Sequence, residues 1–161
     1  MIPNSIAELD QLRDEAYKMV TLRASASGAS SFVPVPGADV AGDVALLMTL
    51  IPAITKKFGL SDEQVQSLDP VTRQIIHAAI KKAGSTFVGK VLTKELIMIA
   101  LKKVGARVAA KSVLKFIPIA GQIASAAIGF GAMKLMGNKH VDECYAVCKR
   151  IIEEKNLVMN K

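Results

Sequence analysis

Near the end of the chain, three side chains with metal-binding and nucleophilic chemistry recur every fourth position: His140, Cys144 and Cys148. On an α-helix that spacing puts all three on one face. An imidazole with two thiolates is a zinc-ligand set. Geometry argues against it here. Eight helical residues extend about 12 Å, too far for one ion with bonds of about 2.3 Å. The expected role is core packing, where a free cysteine is normally buried and inert.

Gly84–Lys90, GSTFVGK, has the spacing of a phosphate-binding loop, G-x-x-x-x-G-K. That loop also needs a Ser or Thr next, to hold magnesium, and a buried strand before it. Val91 stands in the first place, and the preceding IIHAAIKKA has helical spacing. Gly84 is therefore expected as a helix C-cap and Gly89 as a small contact residue. Asp39 and Asp43 lie one turn apart and invite a proton-sharing reading. A helix N-terminus with a lysine partner is the simpler account. The two histidines, His77 and His140, have no identifiable partner in the sequence, and no Ser/His/Asp or Cys/His/Asn set emerges. The expectation is a non-enzyme without cofactor or metal.

Charge is the stronger signal. Residues 1–72 hold five basic and nine acidic residues, whereas residues 73–115 hold ten basic residues and one acid, Glu95. Such asymmetry steers the middle segment towards an anionic surface or towards the acidic first third. Lys103, Arg107, Lys111 and Lys115 form a four-residue stripe along one helical face, and a basic amphipathic helix can lie on anionic lipid. With Lys90, Lys94 and Lys102 they make up the expected membrane or anionic-surface contact. Nucleic acid is not expected, because no aromatics interleave to stack on bases.

The elements that must carry these residues read as helices throughout. The hydrophobic fraction is 51% and mean hydropathy +0.34, yet aromatics make up only 4%. The core must therefore be built from Ala, Val, Leu, Ile and Met. Ser5 with Glu8 is a capping box opening a helix over residues 5–26, and Ala24–Ser31 reads as a turn. A second helix starts near Asp39 and is kinked by Pro52. Ser61 with Gln64 caps a short helix. Asp69–Pro70 opens another, ending at Gly84. Residues 86–104 and 106–116 follow, split at Gly105. Pro118 begins a helix that stops at Gly137, and Asn138 caps the last. The expectation is an all-α single domain, a compact bundle of about seven helices.

Two stretches, Phe32–Ile54 and Phe116–Met133, are unusually apolar and rich in small residues. The second is about 27 Å long as a helix against a bilayer core of about 30 Å. The first carries Asp39 and Asp43, each costing up to about 3 kcal/mol near a membrane centre. Burial is favoured over spanning. Gly37, Ala41 and Ala45 form one small-residue stripe, and Gly121, Ser125 and Gly129 another. They are expected to pack the helices near 38–58 and 118–136 into a central hairpin, with homo-oligomerisation as the alternative. The first residues, MIPNSIAELD, lack the basic and apolar regions of a signal peptide. Only two cysteines are present, so a cytosolic protein with peripheral membrane contact is expected.

Residues 23–60, RASASGASSFVPVPGADVAGDVALLMTLIPAITKKFGL, resemble the helical region following the G domain of immunity-related GTPases. Residues 116–152 resemble that family's Pro-x-x-Gly helix and final amphipathic helix. The G domain itself is absent, so GTP hydrolysis is not implied. The resemblance implies a helical module that associates with membranes or partner proteins, a GTPase being one candidate partner. The alternative is a membrane-permeabilising toxin or defence effector that inserts its two apolar helices.

Overall fold

The computed structural model describes residues 1–30, 38–111 and 121–159, with side-chain surroundings for 1–25, 42–104 and 130–157. Among the described residues every regular element is helical: α1 (Ile6–Ser30), α2 (Ala38–Lys57), α3 (Asp62–Gln66), α4 (Pro70–Ala83), α5 (Lys94–Lys111) and α6 (Gly121–Met159). The all-α expectation holds. The count does not: the described residues form five long helices and the short α3, rather than about seven.

Local chemistry sets most of the boundaries. At the start of α1, Ser5 Oγ accepts the Glu8 N–H at 3.2 Å, and Glu8 reaches back to the Asn4 N–H at 2.9 Å. Ser61 and Gln64 form the reciprocal capping box of α3. Asp69 caps α4 by accepting the Thr72 N–H at 3.0 Å, Pro70 follows it, and Gly84 closes the helix in the left-handed region. Thr93 Oγ1 accepts the Leu96 N–H at 3.2 Å and opens α5.

Four boundaries depart from the sequence reading. α1 continues through Ser30 instead of turning at Ala24. No proline interrupts that stretch, and the Ser25 hydroxyl is absorbed by the Thr21 carbonyl at 2.9 Å. Residues 86–93 are not helical. α5 runs through Gly105, since one interior glycine costs a helix only about 1 kcal/mol. α6 passes through Gly137 and Asn138 without a break.

The chain forms two compact units. Unit 1 comprises Met1–Tyr17, Ile51–Val91 and Lys139–Lys161; unit 2 comprises Lys18–Leu50 and Leu92–Asn138. The core of unit 1 includes Leu9, Ile51, Ile54, Phe58, Ile76, Val147 and Ile151. That of unit 2 includes Val20, Leu47, Leu50, Ile97 and Met133. Within unit 2, α6 approaches α1 and α2 closely at Gly137. A Cβ placed there would lie 2.6 Å from Val20 Cγ1 and 3.4 Å from Leu50 Cδ2. Packing, rather than termination, explains this glycine.

Of the expected hairpin stripes, only Ala45 has described side-chain surroundings, and it is exposed. Gly37, Ala41, Gly121, Ser125 and Gly129 lie outside them, as does most of the expected 118–136 partner.

Candidate functional site

A polar cluster of unit 1 lies where α6 meets the segment after α4. Gly84 and Gly89 take positive φ values of 61° and 73° and bend residues 84–90 into a tight turn. Within it, Ser85 Oγ accepts the Phe87 and Val88 amides at 3.2 and 2.8 Å. The Ser85 hydroxyl then donates to Glu143 Oε2 at 2.6 Å, and the Thr86 N–H donates to the same oxygen at 2.9 Å. Lys139 donates to Thr86 Oγ1 at 3.1 Å and lies 3.7 Å from Glu143 Oε1. A carboxylate of the chain itself thus occupies the anion-binding side of the turn whose spacing imitates a phosphate loop. Gly89 is a contact residue as expected: a Cβ there would lie 2.9 Å from Ile80 Cγ2.

Burial works to raise the Glu143 carboxyl. The facing His140 ring, the Ser85 hydroxyl and the Thr86 group outweigh it and hold the carboxyl at about 2. His140 Nδ1 lies 3.8 Å from Glu143 Oε2, beyond hydrogen-bond distance. At the other ring nitrogen, Nε2 is 2.8 Å from Thr55 Oγ1. The Thr55 hydroxyl proton points to the Ile51 carbonyl at 3.0 Å. Thr55 therefore faces Nε2 as an acceptor, which assigns a proton to Nε2. Phe87 meets the imidazole edge-on at 5.7 Å. The sequence reading gave His140 no partner; the fold supplies Thr55 from α2, Phe87 from the turn and Glu143 from α6.

Cys144 Sγ sits 3.6 Å from His140 Nε2, the separation of a cysteine–histidine pair. Its surroundings oppose nucleophilic use. Cys144, Cys148 and His140 are all 0% exposed. Burial, followed by the neighbouring Cys148 and Glu143, pushes the Cys144 thiol well above its ordinary value, and burial pushes Cys148 up to about 12. Thiols in this state neither ionise near neutrality nor meet solvent. Among the described residues no group of three His, Cys, Asp or Glu side chains is placed to hold a metal. We expect both thiols to resist a disulfide reagent in the native protein at pH 8 and to react only at the rate of unfolding. A fast native reaction of either would contradict the packing described here.

A second cluster of unit 1 was invisible in the sequence. The Arg13 guanidinium lies over the rings of Tyr17 and Tyr145, 5.4 and 4.9 Å from their centres. The Tyr145 hydroxyl donates to Asp10 at 2.7 Å, and Tyr17 donates to Asp142. These contacts fasten the first part of α1 to α6 within unit 1.

In unit 2, α5 presents a different surface. Ile97 and Leu101, four residues apart, face the core. Lys94, Glu95, Met98, Ile99, Lys102 and Lys103 are exposed; all but Lys94, which flanks the core face, lie on the arc away from Ile97 and Leu101. Met98 is 38% exposed and Ile99 66%. The sequence reading found the lysines but not the apolar pair between them. Lys90, in unit 1, is also exposed. Arg107, Lys111 and Lys115 fall outside the described side chains. Among the described residues one stretch, Gly42–Gln66, is by length and composition apolar enough to cross a bilayer, with 44% of its most apolar window buried. As folded, it comprises most of α2, a turn over Phe58–Leu60 and α3.

No protein-family model, curated protein or solved structure matches this chain. The functional reading rests on its own residues.

Proposed function

We propose that this chain is a non-catalytic helical module that associates reversibly with anionic membrane surfaces and with protein partners through the exposed arc of α5. The observation that supports this reading is the alternation of Met98 and Ile99 with Lys94, Lys102 and Lys103 on one solvent-facing surface. A soluble helix needs no bulky apolar pair among its exposed lysines, whereas an interfacial helix does. Lysine stems lie along an apolar boundary while their ammonium groups reach the headgroups.

Each lysine near an anionic leaflet contributes about 1 kcal/mol, and burying the Ile99 side chain adds about 2 kcal/mol. Glu95 opposes them. A net of roughly 4 kcal/mol corresponds to weak, reversible attachment. The resemblance to the helical region of immunity-related GTPases supports the same role, with a GTPase as candidate partner and a peripheral position on a cytosolic membrane face.

Co-sedimentation with vesicles tests the proposal. Phosphatidylserine-containing vesicles should bind the protein, pure phosphatidylcholine should not, and raised salt should weaken binding. Charge reversal in a K102E/K103E variant should reduce binding by about tenfold or more. Equal binding to both vesicle types, or an unaffected K102E/K103E variant, would refute it.

The apolar Gly42–Gln66 stretch supports a second reading, permeabilisation by helices that insert after unfolding. Dye release from vesicles decides it: no release at neutral or acidic pH removes this reading.

A further inference from the structure

A cleft of about 350 Å³ opens in unit 1, where the N-terminal segment, α3, the start of α4 and α6 converge. Ile2 and Leu68 give it apolar walls, and Asn4, Gln64 and Ser67 give it neutral polar groups. Among the described lining residues Lys155 carries the one charged side chain, Met1 brings the terminal ammonium group, and none is a carboxylate. The wall is built by close contact: Ile2 and Pro3 are buried, and Gly59 takes φ +73° beneath them. A Cβ at Gly59 would lie 2.6 Å from the Ile2 nitrogen.

Lys155 has no ion-pair partner among the described residues. The acid beside it in sequence, Glu154, is engaged by Lys82 at 3.4 Å. Gln64 Oε1 accepts the Ser61 N–H at 3.2 Å, which leaves its amide NH₂ as a donor. The lining therefore offers ammonium groups and amide donors beside apolar surface. Small-ligand sites are built in this way, with a few placed polar groups in a mainly apolar hollow, and this volume lies at their lower end. A carboxylate is matched by the Lys155 ammonium with the Met1 terminus beside it. A doubly charged phosphate normally calls on several cations or amides.

From these features we propose that the cleft binds a small monoanionic carboxylate with a short apolar tail, its carboxylate held by Lys155 and its tail laid against Ile2 and Leu68. None of these residues belongs to α5, so the site is independent of the membrane reading.

Titration of the ¹⁵N-labelled full chain with sodium hexanoate, followed by amide NMR, tests it. The expected result is saturable shifts confined to residues around Gln64, Ser67, Leu68 and Lys155. Hexylammonium chloride should produce none. Lys155→Met should weaken hexanoate binding by about tenfold or more, the worth of a charge-assisted hydrogen bond, while Lys155→Arg should retain it. Shifts scattered over the surface or centred on α5, equal binding of hexylammonium, or unchanged affinity in Lys155→Met would each overturn the proposal.

Discussion

Replacing Glu143 with alanine should destabilise the protein by about 3 kcal/mol, because it strips two charge-assisted hydrogen bonds from a buried turn. The Thr86 amide and the Ser85 hydroxyl lose their acceptor at 2.9 and 2.6 Å, and Lys139 loses its neighbour at 3.7 Å. Ser85 is 5% exposed, so water is a poor substitute. Glu143→Gln keeps an oxygen in place and should cost about half as much. Urea unfolding at pH 7 measures both. The same pair separates charge from shape through pH. The folded carboxyl sits at about 2, below the ordinary value of 4.5. Its stabilisation is therefore complete above about pH 4.5 and is lost as pH falls through about 2. Partial exposure and the neighbouring charges limit it to on the order of 2 kcal/mol. The wild-type protein should lose this increment between those limits and Glu143→Gln should not. Identical acid profiles would show that the carboxylate is not held as described.

At Gly137 two simple rules give opposite signs. Helix propensity makes Gly137→Ala stabilising by about 1 kcal/mol. The packing makes it destabilising, since the new methyl group would meet Val20 Cγ1 at 2.6 Å and Cγ2 at 3.0 Å. Val20 is β-branched and fully buried, so it cannot swing aside without strain. Overpacking of this kind costs about 1–3 kcal/mol, and we expect it to prevail, with a net loss of about 1–2 kcal/mol. Gly137→Leu should lose more. A Val20→Ala background should reverse part of the penalty, so that the double variant is more stable than the sum of the single effects. A rise in melting temperature for Gly137→Ala would show that the helices have room to part.

These cases show how far the residues could be read in advance. Ser61 with Gln64, Asp69–Pro70 and Gly84 were legible because a cap acts over three or four neighbouring residues. Gly105 and Gly137 were misread as stops. A glycine inside a helix is chosen by what packs against it, and in the case of Gly137 that partner, Val20, comes from the other end of the chain. The burial of His140, Cys144 and Cys148 followed from their spacing. Glu143 did not stand out, although it falls at the edge of the same apolar face, where an acid signals an unseen partner. The lysines of α5 were read as a charge pattern, but the exposure of Met98 and Ile99 depends on which arc the core takes, and sequence periodicity leaves that open. The hairpin of small-residue stripes lies largely outside the described residues.

The turn at Ser85 and Thr86 carries a consequence for how this protein tolerates variation. The carboxylate it uses lies 58 positions beyond Ser85. Loss of either side leaves a polar group stranded in an apolar interior, and apolar residues at both positions would still strand the Thr86, Phe87 and Val88 backbone amides. Drift at either locus is thus tolerated only where another acceptor takes over those amides, and the two positions are tied by what the backbone between them demands.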